Sequence, residues 1–134
     1  KESTVRREAY FLDYAARIRQ VTRIPLMVTG GFRSRATMEA ALASNALDVI
    51  GLGRPMCVET DLPNRLLSRS AQAGGAYEKT ISPAKAGLGW FCLQLLRIGH
   101  GQAPDTAMTG SEAIERYLKN ESDTADRLID RKAA

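Results

Sequence analysis

Little in this chain can carry thiol, metal or histidine chemistry: it holds two cysteines, Cys57 and Cys92, and one histidine, His100, in 134 residues. Neither cysteine has a CxxC partner, and two of them in a chain without secretory features read as thiols rather than a disulfide. No Ser–His–Asp or Cys–His arrangement can be argued from the single histidine, which follows a helix end between two glycines, and no metal set is built around it, so no catalytic and no metal-ligating residue is named. No apolar run approaches the roughly 20 residues needed to span a bilayer, and no signal-peptide pattern opens the chain. Positive charge is present but not concentrated. The formal charge is +4, yet Arg6–Arg7 and Arg131–Lys132 are the only adjacent basic pairs, and neither lies in an aromatic-rich stretch. A nucleic-acid footprint needs a concentrated basic face. The expectation is a cytoplasmic protein with neither nucleic acid nor membrane as partner. Internal repeats and low-complexity tracts are also absent.

What is present is an ordinary globular composition, 44% hydrophobic and 25% charged, in a length sufficient for one modest domain with its own core. The informative stretch is Ile24 to Met56, IPLMVTGGFRSRATMEAALASNALDVIGLGRPM. A short apolar run, Pro25 to Thr29, breaks at Gly30 and Gly31. A helical pattern with Met38, Ala41 and Leu42 on one face follows. A second apolar run, Asp48 to Leu52, ends at Gly53, Arg54 and Pro55. Short apolar runs bounded by glycine and proline, with a helix between them, predict parallel strands buried on both faces and joined by a right-handed crossover, an α/β arrangement.

Both glycine turns fall at the C-terminal ends of their strands, where parallel sheets and barrels gather ligands. Glycine permits positive φ and close approach of a ligand to the backbone. The first turn feeds a helix that Ser34 can cap, so that helix's leading amides and dipole favour an anion. Arg54 adds a planar, permanently charged fork suited to phosphate. Each turn alone could simply reverse the chain. The pair in this order predicts one phosphate grip built from amides and an arginine.

TGGFRSRAT followed by LDVIGLGRPM resembles the seventh and eighth strand turns of the Old Yellow Enzyme family. These are FMN-dependent NAD(P)H:flavin oxidoreductases on a (β/α)8, or TIM, barrel. The resemblance covers most of the chain. REAYFLDYAARIRQVTRIPL resembles the helix entering strand seven, ETDLPNRLL the segment after the arginine turn, and WFCLQLLRIGHGQAPD the C-terminal helix. It implies that the FMN phosphate is held by backbone amides of Gly30, Gly31 and Phe32, together with Gly53 and Arg54. It also implies NADH or NADPH as reductant and a small electron-poor alkene or similar acceptor as substrate. A complete barrel typically needs about 250 residues, so the expectation is the C-terminal portion of a TIM barrel. Residues 1–69 would be its last two β/α units, and residues 70–134 a C-terminal loop and helical extension of the same domain. The side chains that bind the substrate carbonyl and donate the proton lie on earlier strands of the family, and none is matched here.

The rest of the chain reads as helices and connectors. Thr4 to Val21 is amphipathic, with Tyr10, Phe11, Tyr14, Ala15, Ile18 and Val21 on one face, the tyrosines packing it on the sheet. Asp61 is a candidate cap for a short helix with Leu62, Leu66 and Leu67 on its apolar side. Ser70 to Ala76 is a flexible loop by composition. Ser82–Pro83 introduces a helix with Leu88, Phe91, Cys92, Leu95 and Leu96 on its apolar face, stopped by Gly99 and Gly101. Trp90 and Phe91 close a flank of the fold, and His100 faces solvent or caps. Ser111 caps one further helix and Asp123 opens another. Two parallel strands alone carry bare edges, which predicts self-association or partial melting of the isolated chain. Two other readings remain. One is a different phosphate-gripping barrel of the 2-hydroxy-acid oxidase or nucleotide dehydrogenase type, although those usually carry an acidic residue where Thr29 stands. The other is a non-catalytic oligomerising module without flavin.

Overall fold

The computed structural model describes Ala9 and residues 11–133. The expected helix start at Thr4, and Tyr10, lie outside the described residues. The chain divides into two compact units, residues 1–76 and 77–134.

In the first unit a helix α1 (Leu12–Arg19) leads into strand β1 (Met27–Thr29), helix α2 (Arg35–Ala43) and strand β2 (Val49–Gly51). A single 3-10 turn, Arg54–Cys57, and a short helix α3 (Leu62–Leu67) follow. The two strands pair in parallel, Met27 with Val49, Val28 with Ile50 and Thr29 with Gly51. The mixed helix–strand reading is therefore correct, with strands shorter than the apolar runs that announced them. They are also not buried on both faces as expected. Val28 and Ile50 pack against the core, while Met27 and Val49 face outward and are 65% and 47% exposed. The core consists of Ala9, Phe32, Met38, Ala41, Leu47, Leu62 and Leu66.

Five expected apolar positions stay outside this core, Phe11 and Val21 among them at 49% and 86% exposure. Tyr14 is 65% exposed, and with Phe11, Ile18 and Met27 it borders an open groove between α1 and β1 instead of sealing it. Only the small Ala15 is buried on α1. Leu42 and Leu67 are likewise exposed, because Met38 and Ala41 on α2, and Leu62 and Leu66 on α3, already fill the inward positions of those short helices.

The end of the sheet opposite the turns is fastened by Asp48. Its Oδ2 accepts from the Leu26 amide at 2.7 Å and pairs with Arg19, whose Nη1 donates to the Ile24 carbonyl at 3.2 Å. The Leu26 amide foremost, and then Arg19, hold the Asp48 carboxyl below its usual pKa.

The second unit contains two 3-10 turns, Tyr77–Lys79 and Ala84–Ala86, then helices α4 (Gly87–Gly99) and α5 (Gly110–Ala133), which pack on one another. The buried face of α4 is Gly89, Trp90, Phe91 and Gln94. Leu88, Leu95 and Leu96, expected inside, are exposed. Trp90 stacks on Tyr77 at 6.1 Å and meets Phe91 edge-on at 5.1 Å. Its Nε1 donates to the Met108 carbonyl at 2.9 Å. Gln94 accepts from the Asp105 amide at 2.7 Å and donates to the Asp105 carbonyl at 3.0 Å. These bonds fasten the connector between the helices. At the end of α4, His100 is the C-cap residue, exposed as expected.

The last two expected helices are one. Its cap is Thr109 rather than Ser111: the Glu112 amide donates to Thr109 Oγ1 at 3.2 Å, and the Glu112 carboxylate accepts from the Thr109 amide at 2.9 Å. That reciprocal pair is a capping box. Asp123 opens nothing, because it lies mid-helix and accepts from Lys119 one turn earlier at 3.1 Å. Among the described residues no helix is long and apolar enough to cross a membrane.

Candidate functional site

Parallel pairing with Thr29 opposite Gly51 sets the chain on the same side of the sheet immediately after both strands. The turn after β1 and the turn after β2 therefore become neighbours. Together they line one cleft of about 210 Å³, formed by Thr29, Gly30, Gly31, Phe32, Arg33, Gly51, Gly53, Arg54 and Pro55. All five residues singled out from the sequence, Gly30, Gly31, Phe32, Gly53 and Arg54, border it. Thr29, Arg33, Gly51 and Pro55 also line it and were not singled out.

The first turn is shaped by Gly31, at φ 74°, a conformation that side chains with a Cβ resist. Phe32 then drops its ring into the core at 3% exposure. This anchors the turn from below and leaves its backbone at the cleft. Ser34 caps α2 as expected, accepting from the Thr37 amide at 3.4 Å. Among the described residues no acceptor takes up the amides of Gly31 or Phe32.

The second turn works differently. Gly53 does not use positive φ; it sits at φ −101° and its carbonyl accepts from the Met56 amide at 2.9 Å, closing the 3-10 turn that Arg54 begins. Pro55 is buried beneath. Arg54 is exposed at the cleft and, among the described residues, forms no ion pair or hydrogen bond through its guanidinium. No carboxylate lines the cleft. Two unaccepted amides and an uncompensated guanidinium around a space of this size, with the N-terminus of α2 beginning two residues beyond its lining, fit a phosphate group.

The neighbouring segment shows a difference from expectation. Ser70 to Ala76 is irregular, but its backbone is tied down. The Arg35 amide donates to the Gln72 carbonyl at 2.8 Å and the Gly74 amide to the Arg33 carbonyl at 3.0 Å. Arg33 Nη1 donates to the Gly75 carbonyl at 2.8 Å. Composition marks this stretch as a loop but does not encode the main-chain bonds that tie it to the neighbouring turn. Asp61, taken for a cap, makes no capping bond and instead pairs with Arg65 at 3.1 Å.

No family model matches the chain. No solved structure matches it either. Curated relatives do. The NADH-dependent flavin oxidoreductase iccE of Talaromyces variabilis is 48% identical over 61 residues, 45% of this chain and 15% of that protein. The NADH-dependent flavin oxidoreductase iliE of Neonectria sp. (strain DH2) is 47% identical over 57 residues, 42% of this chain and 7% of that protein. Its namesake in Hypocrea jecorina (strain QM6a) is 38% identical over 61 residues, 45% of this chain and 15% of that protein. The chain thus spans well under a quarter of the length of the curated relatives it matches, and over close to half of its own length it is similar to NADH-dependent flavin oxidoreductases.

Proposed function

We propose that this chain forms the phosphate end of an FMN site in an NADH-dependent flavin oxidoreductase of the Old Yellow Enzyme kind, as the last two β/α units of a TIM barrel with a helical extension. The observation that carries the reading is the single cleft between two turns at one end of a parallel strand pair. Among the described residues the amides of Gly31 and Phe32 and the guanidinium of Arg54 have no internal acceptor, while Arg33 at the same cleft donates to the Gly75 carbonyl. The names of the relatives supply the flavin and the NADH.

In this reading the amides of Gly31 and Phe32 donate to phosphate oxygens, the α2 N-terminus adds favourable potential, and Arg54 closes over the dianion from the second turn. Phe32, held in the core, fixes where those amides point. Bound there, the flavin supplies hydride transfer from NADH or NADPH to an electron-poor alkene or similar acceptor. This chain's residues bind and orient it; none is assigned a proton or a reacting atom. Thr29, where the 2-hydroxy-acid oxidase type usually carries an acid, keeps the cleft free of negative charge and favours this reading.

The test is a titration of the chain with FMN, followed by quenching of flavin fluorescence, beside an Arg54→Ala variant. Losing a hydrogen bond to a charged group typically costs about 1.5–3 kcal/mol, so the variant is expected to bind at least about tenfold more weakly. Equal affinity in parent and variant would overturn the assignment of Arg54.

A further inference from the structure

We infer that the segment Gln72–Gly75 is a positioning strap that sets the spacing of the two turns and so tunes the cleft for a phosphate group; this rests on the phosphate reading above. The strap touches both sides of the cleft without lining it. On the first side it runs antiparallel to the chain just after the glycine turn. Ala73 bridges Ser34, Gln72 accepts from the Arg35 amide at 2.8 Å, and Gly74 donates to the Arg33 carbonyl at 3.0 Å. On the second side the Gly75 amide donates to Glu59 Oε1 at 2.6 Å, and Glu59 Oε2 accepts from Arg65 at 2.5 Å. The hydrogen bond to Glu59 is also the foremost reason that the Arg65 guanidinium holds its proton more tightly than usual.

Gly74 sits where the two sides meet. A Cβ there would lie 2.6 Å from Leu62 Cδ2 and 3.2 Å from Pro55 Cβ. Pro55 directly follows Arg54, so the strap's backbone rests on the residue that aims the guanidinium. The same strap therefore holds the segment after the amide-bearing turn by hydrogen bonds and the arginine-bearing turn by contact. A side chain at position 74 displaces the buried end of Leu62 and takes a few tenths of an ångström from Pro55, by lifting the strap or by moving Pro55. Either movement changes the distance between donors on the two turns. A group that bridges both turns feels that change, and one bound only by its apolar body does not.

The comparison that isolates this effect is FMN against riboflavin, which lacks the phosphate. Both are titrated into the full chain and into Gly74→Val, Glu59→Ala and Glu59→Gln variants, with thermal melts alongside. The expected result is that the parent prefers FMN, and that Gly74→Val and Glu59→Ala lose at least about tenfold of that preference, the worth of one charge-assisted hydrogen bond. Riboflavin affinity stays put. Glu59→Gln, whose amide oxygen still accepts from Gly75, keeps the preference. If Gly74→Val does not melt cooperatively, the two Glu59 variants decide the matter. Preference unchanged in the folded variants, or FMN and riboflavin weakened together, overturns the strap and leaves the phosphate site standing. A parent chain that does not distinguish FMN from riboflavin overturns both.

Discussion

Gln94 is fully buried, and both ends of its amide are satisfied by the backbone of Asp105. Removing it leaves the half-buried Asp105 amide and carbonyl without these partners and opens a cavity. Gln94→Ala should lower stability by about 2–4 kcal/mol, read as a drop in the urea midpoint of the circular-dichroism transition. Asp48 holds backbone in a different way, through a carboxylate charge near the surface. Its folded pKa lies below the unfolded one, so its contribution is complete above the unfolded carboxylate range near about 4 and disappears as pH falls through the folded value. Urea midpoints measured from about pH 6 to pH 3 should decline more steeply in the parent than in Asp48→Asn. Identical slopes would mean that the Leu26 and Arg19 contacts do not persist in solution.

At the scale of elements, α5 depends on the reciprocal contact between Thr109 and Glu112. The Thr109 amide foremost, and then its hydroxyl, hold the Glu112 carboxyl below its usual pKa, so the cap should loosen as pH falls. Thr109→Ala should speed amide exchange in the first turn of α5 while leaving α4 unchanged, and comparable protection in both proteins would argue against the cap. This box is readable in the sequence as a threonine three residues before a glutamate, although Ser111 stands nearer the periodic residues. The paired turns were legible because glycine, proline and arginine mark chain direction directly, and Ser34 caps α2 where the pattern put it; the burial of the Phe32 ring had no local signal. The inward face of α4 was not legible. There a buried glutamine replaces leucine because its partner is backbone eleven positions away, which no local periodicity records. The strap has no sequence signal for the same reason, since most of its bonds run through peptide groups that every sequence has.

Across the whole molecule, apolar surface is left in the open. Ile24, Met27 and Val49 around the strands, Leu67 on α3, and Leu118, Leu128 and Ile129 on α5 are all exposed. Strand edges and apolar faces of this kind seek cover. Sedimentation velocity over a range of concentrations should show association that grows with concentration, and a monomer boundary unchanged across the range would contradict it. The parallel strand pair has a consequence in time as well as in space. The contacts that join its two halves lie only 22 positions apart, so bringing them together costs modest loop entropy. The pairing uses no residue beyond Gly51. During synthesis the two turns can be set side by side once Arg54 has emerged, while the strap that fixes their spacing has yet to emerge. The cleft is then assembled in two stages, first approximate and afterwards exact, and an early anion could be met by the loose form before the chain is finished.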